Sequence, residues 1–179
     1  RLMPQGDALV RRGDWPKGGL PMTTRVFGKK VGIVGMGRIG QAFAKRAAGF
    51  ECEISYFSRT EQTALPYRFF PGLPELARDV EFLVITLAGG EGTKSIVNAE
   101  VLNALGPDGI LVNISRGSTV DEEALLHALE NRAIKAAALD VFWNEPNINP
   151  RFLALDNAVL HPHHASGTVE TRRAMGQLV

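Results

Sequence analysis

Apolar residues in this sequence fall into short continuous runs separated by amphipathic stretches, and this alternation predicts the fold. Runs such as 31–34, 82–87 and 109–114 have no helical period, which is typical of strands buried on both faces. Stretches such as 39–50 and 125–129 instead repeat apolar residues every three or four positions, as helices packed on a sheet do. The pattern predicts an α/β protein with a Rossmann-type, doubly wound parallel sheet.

Turn residues and caps set the expected bounds of these elements. We predict strands at 31–34, 51–57, 68–70, 82–87, 109–114, 134–141 and 158–160. We predict a first helix that ends near Arg12 and three further helices at 39–50, 73–78 and 98–105. A fifth helix is expected to begin at a capping box at Thr119–Glu122, and a sixth to run from Thr168 to Val179. Residues 1–22 are interpreted as a lead-in helix and loop, and residues 23–179 as the domain.

A glycine turn follows the first predicted strand and opens the first predicted helix of the domain. In its Gly-x-Gly-x-x-Gly pattern, the first glycine permits the tight turn, the second lets a pyrophosphate approach, and the third lets helix pack on strand. An ordinary glycine-rich turn is the alternative, because 19 glycines in 179 residues make chance spacings common. The strand-to-helix context favours dinucleotide binding, with phosphates at the helix start. The predicted residues are Gly35, Met36, Gly37, Arg38, Ile39 and Gly40.

A second cofactor determinant is expected at the end of the second strand. An NAD-binding fold usually carries Asp or Glu about 20 residues beyond the glycine turn, where it binds the ribose hydroxyls. Ser58 holds that place here, and Arg59 and Thr60 follow it. A carboxylate would repel a 2′-phosphate, whereas these side chains can donate to one, so we predict NADP(H) in preference to NAD(H). The alternative is a polar turn with Arg59 directed at water.

Composition narrows the function classes. The 45% hydrophobic and 22% charged fractions are those of a soluble globular protein, and 179 residues suit one domain. Scattered charges and a net charge of +1 give no reason to expect a nucleic-acid or membrane surface. The single cysteine, Cys52, excludes an internal disulfide, so we expect a reducing, cytoplasmic location. We expect no metal site. The chain does not begin with Met and is interpreted as part of something longer.

Four motifs, in this order, resemble those of the D-2-hydroxyacid dehydrogenase family. They cover nearly the whole chain and lie at 31–40, 113–125, 138–146 and 160–166. Within the family, the Ser58–Thr60 loop and residues 162–171 are most similar to the NADPH-dependent hydroxypyruvate and hydroxyphenylpyruvate reductases. The resemblance implies that this chain is the cofactor-binding domain, and that the substrate-binding domain of the same polypeptide is absent from it.

The resemblance implies three catalytic residues, and the chemistry of reducing a 2-oxo acid supports each. Arg116 supplies a cation that can bind a carboxylate with two hydrogen bonds. His163 is the expected proton donor in reduction, and Glu145 would pair with it, orient it and favour its protonated form. From position alone, a solvated Arg, Glu or His is the alternative. His161 is expected at the surface.

Further cofactor contacts are expected where strands end. In a parallel sheet of this kind ligands bind beyond the carboxyl ends of the strands, which brings Leu87 to the site. The resemblance adds Ile114 and Asp140 near the nicotinamide end.

The expected function is the coenzyme domain of an oxidoreductase that transfers hydride from NADPH to a 2-oxo acid. Hydroxypyruvate, glyoxylate and hydroxyphenylpyruvate are the candidate substrates. We expect a homodimer, and expect the chain alone to be inactive. The alternative is an NAD(H)-sensing, co-repressor-like interaction protein of the same family, although such a sensor would be expected to keep the acid that Ser58 replaces. Formate dehydrogenase, another relative, pairs its histidine with Gln, so Glu145 disfavours it.

Overall fold

The computed structural model describes residues 2–177, and a parallel sheet forms its centre. The strands are β1 Lys30–Val34, β2 Glu53–Phe57, β3 Arg68–Phe70, β4 Phe82–Ile85, β5 Ile110–Asn113, β6 Ala136–Leu139 and β7 Ala158–Leu160. The helices are α1 Met3–Arg11, α2 Arg38–Ala48, α3 Leu73–Asp79, α4 Ala99–Leu105, α5 Glu122–Glu130 and α6 Val169–Gly176. Short 3-10 helices span Trp15–Lys17, Glu91–Thr93, Gly117–Thr119 and Pro150–Ala154.

The order of the strands creates a crevice at one edge of the sheet. Across the described residues the order is β3-β2-β1-β4-β5-β6-β7, and every neighbouring pair is parallel. From β1 the chain winds outward through β2 and β3, then returns to the other side of β1 to add β4. The loops after β1 and β4 therefore leave the sheet in opposite directions, and a ligand can enter between them. This confirms the predicted Rossmann-type fold.

Alternate residues of the central strands face two different apolar layers. On β1, Val31 and Ile33 pack in the layer that α2 covers, whereas Val34 packs with α3, α4 and α5. On β4, Val84 belongs to the first layer and Leu83 to the second. Each large apolar side chain buried in this way contributes about 1.5–3 kcal/mol, so both faces of a central strand must be apolar. This is why the sequences of these strands are continuous apolar runs.

Three sequence predictions need correction. The capping box at Thr119–Glu122 is wrong: Asp121 caps α5 by accepting from the Ala124 N–H at 3.0 Å. Thr119 lies in a 3-10 helix, and its hydroxyl donates instead to the Arg116 carbonyl at 2.7 Å. The strand expected at 134–141 is only four residues long, and a 3-10 turn interrupts the loop predicted after α1. The end of the last predicted helix, 178–179, lies outside the described residues.

The N-terminal lead-in differs from the sheet domain in burial. None of the residues of α1 is buried, and the sheet begins only at Lys30. The boundary between residues 22 and 23 stays a prediction. Cys52 is buried, and its thiol donates to the Val26 carbonyl at 3.4 Å. Within residues 2–177, no helix combines the length and the apolar character needed to cross a membrane.

Replacement of Gly117 should test how tightly the loop after β5 packs. A Cβ built at Gly117 would lie 2.1 Å from the carbonyl carbon of Phe142, a backbone atom that cannot turn away. We expect Gly117→Ala to lower the free energy of unfolding by about 1–3 kcal/mol, because the loop must move to admit the methyl group. Gly90→Ala is the matched control, since no atom lies within 4 Å of its Cβ position. Equal urea midpoints for the two variants would contradict this packing.

Candidate functional site

The glycine turn after β1 is held by direct contact between backbones. Gly35 has φ +101°, and its N–H donates to the Phe57 carbonyl at 2.8 Å. A Cβ at Gly35 would lie 2.7 Å from Leu87, and one at Gly40 would lie 2.2 Å from the Gly35 carbonyl oxygen. The Thr86 hydroxyl, buried at the end of β4, donates to that same oxygen at 2.6 Å. The turn therefore requires glycine at both positions, and it brings Leu87 against the predicted phosphate site.

The second glycine of the motif faces open space. No atom lies within 4 Å of a Cβ built at Gly37, in contrast to Gly35 and Gly40. Gly37 is also the N-cap of α2, so the first-turn amides at Arg38 and Ile39 have no side-chain cap there. Uncapped amides and the positive end of a helix dipole attract anions. The space a side chain would fill, together with these donors, fits the pyrophosphate of a dinucleotide.

The Ser58–Thr60 segment follows β2 and reaches the surface. The Ser58 hydroxyl donates to the Thr60 carbonyl at 2.6 Å, which closes a tight turn with Arg59 at its tip. Arg59 and Thr60 are exposed, and within residues 2–177 Arg59 forms no ion pair. The segment carries no carboxylate. Its charge and donors suit an anion; that this anion is a 2′-phosphate stays a prediction.

Hydrogen bonds to its main chain hold Arg116 in place. Its carbonyl accepts from the Asn113 amide at 3.0 Å and from the Thr119 hydroxyl at 2.7 Å. Its guanidinium donates to the Ser115 carbonyl at 2.7 Å and is otherwise exposed. The stem of the side chain passes over Gly89, where a Cβ would approach Arg116 Cγ to 2.7 Å. The backbone is fixed by buried polar groups, while the cationic end is free to meet a ligand.

Glu145 and His163 form the pair that the sequence predicted. Glu145 Oε2 lies 2.6 Å from His163 Nδ1, and its Oε1 accepts from the Phe142 N–H at 2.7 Å. Burial acts to raise the pKa of Glu145, but the hydrogen bonds from His163 and Phe142 and the charge of Arg116 outweigh it, so its pKa lies below the usual value. An ionised carboxylate only accepts, so Nδ1 carries the proton and Nε2 can exchange one with a ligand.

A second histidine–carboxylate pair lies beside the first. The Asp140 carboxylate lies 2.5 Å from His161 Nδ1 and accepts from the backbone N–H groups of His164 at 3.0 Å and Ala165 at 3.2 Å. Burial acts to raise the pKa of Asp140, but these hydrogen bonds lower it below its usual value. Asp140 thus holds the loop on which His163 lies, where φ is +49°.

The expectation for His161 was incomplete. It is exposed, as expected, but it is also paired with Asp140. The parallel register places Leu139 opposite Leu160, so the next residues on each strand are neighbours. An acid and a histidine at equivalent positions after two adjacent strands would have been a usable signal.

The predicted site residues all follow the carboxyl ends of the strands. Ile114 is 39% exposed after β5, and Leu87 is partly buried against the glycine turn. Among the three predicted catalytic residues, a direct hydrogen bond joins only Glu145 and His163, and Arg116 is close enough to affect the Glu145 carboxylate. The sequence analysis did not identify Thr86, Asn113 and Gln62. Each of these side chains donates a hydrogen bond to a backbone carbonyl of a loop at the site. In the part of the chain that the structure describes, no group of three His, Cys, Asp or Glu side chains could hold a metal ion.

Comparison with known proteins agrees with this geometry. Residues 1–165 match the family described as D-isomer specific 2-hydroxyacid dehydrogenase, NAD binding domain. The chain belongs to this family. Its NAD-binding fold explains why the glycine turn, the open second glycine and the strand-end loops occur together.

Several relatives are reductases. A 2-ketogluconate reductase of Gluconobacter oxydans is 48% identical over 179 residues, which is 100% of this chain and 58% of that protein. A glyoxylate/hydroxypyruvate reductase of Arabidopsis thaliana is 46% identical over 100% of this chain and 57% of its own length. The NADPH-dependent glyoxylate/hydroxypyruvate reductase of Sinorhizobium meliloti, solved with NADP and malonate, has TM-score 0.95 and 44% identity over 99% of this chain and 56% of that one. The chain thus spans a little more than half the length of these relatives.

The Glu145–His163 pair should give stability that depends on pH. Because folding lowers the pKa of Glu145, its carboxylate stabilises the fold above the usual glutamate value and loses that effect as the pH falls through the lower folded value. We expect Glu145→Gln to lower the free energy of unfolding by about 0.5–1.5 kcal/mol near neutral pH. This difference in the free energy of unfolding between the variant and the unmutated chain should be smaller at about pH 3.5. Urea unfolding at both pH values measures it, with exposed Glu61→Gln as control; a deficit independent of pH would contradict the role of this carboxylate.

Proposed function

We propose that this chain is the coenzyme domain of an NADPH-dependent reductase that converts a 2-oxo acid to the 2-hydroxy acid. One observation carries the proposal. The Glu145–His163 pair, joined at 2.6 Å, follows the carboxyl ends of strands in the same sheet whose glycine turn is open at Gly37. A proton donor and a dinucleotide site at one sheet edge are what such a reduction requires.

The cofactor would lie across the edge from β2 to β6. The amides of Arg38 and Ile39 would hold the pyrophosphate, and the Ser58–Thr60 segment the 2′-phosphate. Leu87 would lie beside the pyrophosphate, and Ile114 and Asp140 would line the nicotinamide end. A nicotinamide bound there supplies the hydride. The exposed Arg59 supports NADP(H) over NAD(H), because it would place a positive charge where an NAD-binding fold usually places a carboxylate.

His163 would act as the general acid during reduction. Its Nδ1–H is committed to Glu145, so Nε2 is the atom that would donate a proton to the substrate oxygen. The ionised Glu145 would fix the orientation of the ring and the tautomer with the proton on Nδ1. The same pair would accept the proton in the reverse direction.

Arg116 would bind the substrate. A guanidinium can form two parallel hydrogen bonds to a carboxylate, which fixes both the position and the orientation of a 2-oxo acid. The exposed end of Arg116 is suited to this role, whereas its anchored backbone limits the freedom lost on binding. Hydroxypyruvate, glyoxylate and hydroxyphenylpyruvate all carry the 2-oxo carboxylate that this arginine would recognise.

The activity of the whole protein depends on more than this chain. The named relatives are nearly twice as long as the part they share with it. We propose that the rest of such a polypeptide forms the far wall of the cleft and excludes water, as near-attack geometry requires. The reductase names of these relatives favour an enzyme over an NAD(H)-sensing co-repressor. The expected homodimer and cytoplasmic location stay predictions.

Cofactor preference can be measured on this chain. NADPH should bind more tightly than NADH, and Arg59→Ala should weaken NADPH binding by about 1.5–3 kcal/mol, the value of a hydrogen bond to a charged group, while NADH binding stays nearly unchanged. Arg78→Ala is the control, because Arg78 is exposed in the last turn of α3, at the opposite edge of the sheet. Fluorescence titration gives both affinities, and equal binding of the two cofactors by the unmutated chain would refute the preference.

Catalysis must be measured in the full-length parent protein. We expect His163→Gln to lower kcat for hydroxypyruvate or glyoxylate by about 10²–10⁴-fold, since the proton donor is lost. His127→Gln, at an exposed position of α5, should leave kcat unchanged. Residues 1–179 alone should bind NADPH and turn over little substrate. If the full-length His163→Gln variant keeps its kcat, His163 is not the proton donor. If residues 1–179 alone reach the turnover of the parent, the rest of the polypeptide is not needed for catalysis.

A further inference from the structure

Gln62 links the two loops that would hold the pyrophosphate and the 2′-phosphate of the cofactor. Its side-chain Nε2 donates to the Met36 carbonyl in the glycine turn at 2.6 Å. Its backbone N–H donates to the Tyr56 hydroxyl at 2.8 Å. Because a carbonyl oxygen can only accept, the contact with Met36 determines which end of the Gln62 amide faces the turn.

Both anchors of Gln62 belong to the core. Met36 is 1% exposed, and Tyr56 is fully buried with its ring packed on Phe69 at 5.4 Å between centroids. Gln41 completes the link from α2, because its Nε2 lies 3.2 Å from the Met36 carbonyl and 3.1 Å from Gln62 Oε1. The Gln62 side chain therefore bridges the glycine turn, α2 and the loop after β2.

This bridge closes the Ser58–Thr60 segment at its second end. The first end is fixed where β2 pairs with β1, and the Ser58 hydroxyl tightens the turn between them by donating to Thr60. Without the Gln62 contacts, the segment would be free to move over the surface after Phe57. A loop that is already ordered loses less conformational freedom when it binds a ligand.

We propose that Gln62 is a positioning residue for cofactor selectivity, which ties the segment that recognises the 2′-phosphate to the turn that binds the pyrophosphate. The inference rests on the proposed NADPH preference. Gln62 itself need not touch the cofactor. NADH lacks the 2′-phosphate, so order in the Ser58–Thr60 segment matters more for NADPH binding than for NADH binding.

The test is the ratio of the two affinities. In Gln62→Ala we expect the Kd for NADPH to rise by about threefold to tenfold, the range for an ordering cost of one or two side chains, and the Kd for NADH to change less than about twofold. Gln62→Met keeps the length of the side chain and adds no charge but removes the N–H donor, so it should behave like Gln62→Ala. Thr63→Ala, at the exposed neighbouring position, should change neither Kd.

Each outcome separates the two proposals. If the unmutated chain binds NADPH more tightly and both Gln62 variants keep that ratio, the selectivity role of Gln62 is wrong and the NADPH preference stands. An equal rise in both Kd values shows that Gln62 only supports the glycine turn, and also overturns the inference. If the unmutated chain has no preference, both proposals fail. Tyr56→Phe removes the hydroxyl that anchors the Gln62 backbone but keeps the buried ring. It should lower the preference for NADPH over NADH less than Gln62→Ala does.

Discussion

The contact between the glycine turn and β4 is the constraint on which the rest of the site depends. Backbone lies against backbone where Gly35 meets Leu87 and where Gly40 meets the Gly35 carbonyl, and the Thr86 hydroxyl joins them. A methyl group at Gly35 would push the turn away from Leu87, and one at Gly40 would push α2 away from the turn. Either shift would move the first-turn amides of α2 relative to the crevice, so the packing of the core and the geometry of the predicted phosphate site are one requirement.

The parallel topology explains why residues far apart in the sequence lie close together. Because all strands are parallel, every strand ends at the same edge, and every crossover returns the chain to the opposite edge. Arg116 after β5, Asp140 after β6 and His163 after β7 are therefore brought together by topology alone. Asn113 and Thr119 then hold Arg116 by its carbonyl, and the backbone N–H of His164 binds Asp140. Glu145 holds His163.

The sequence predicted the parts of this structure that follow a period or a motif. The central strands were readable because residues such as Val34 and Ile33 pack in opposite layers, which requires an unbroken apolar run. The cap of α5 was misplaced because Thr119 and Asp121 are both good caps, and only the tertiary contact of Thr119 with Arg116 decides between them. The Gln62–Met36 bond had no sequence signal, since a long side chain can reach many carbonyls.

The electrostatics of the edge divide it into two parts with different charges. At the cofactor end, the donors are Arg59 and the uncapped start of α2, and the segment 58–60 carries no carboxylate. At the other end, Asp140 and Glu145 are held ionised by histidines and backbone N–H groups. The first end would thus attract an anionic ligand, whereas the second end holds two ionised carboxylates, each paired with a histidine. Arg116 brings a guanidinium close enough to the Glu145 carboxylate to lower its pKa, so this end of the edge carries charges of both signs.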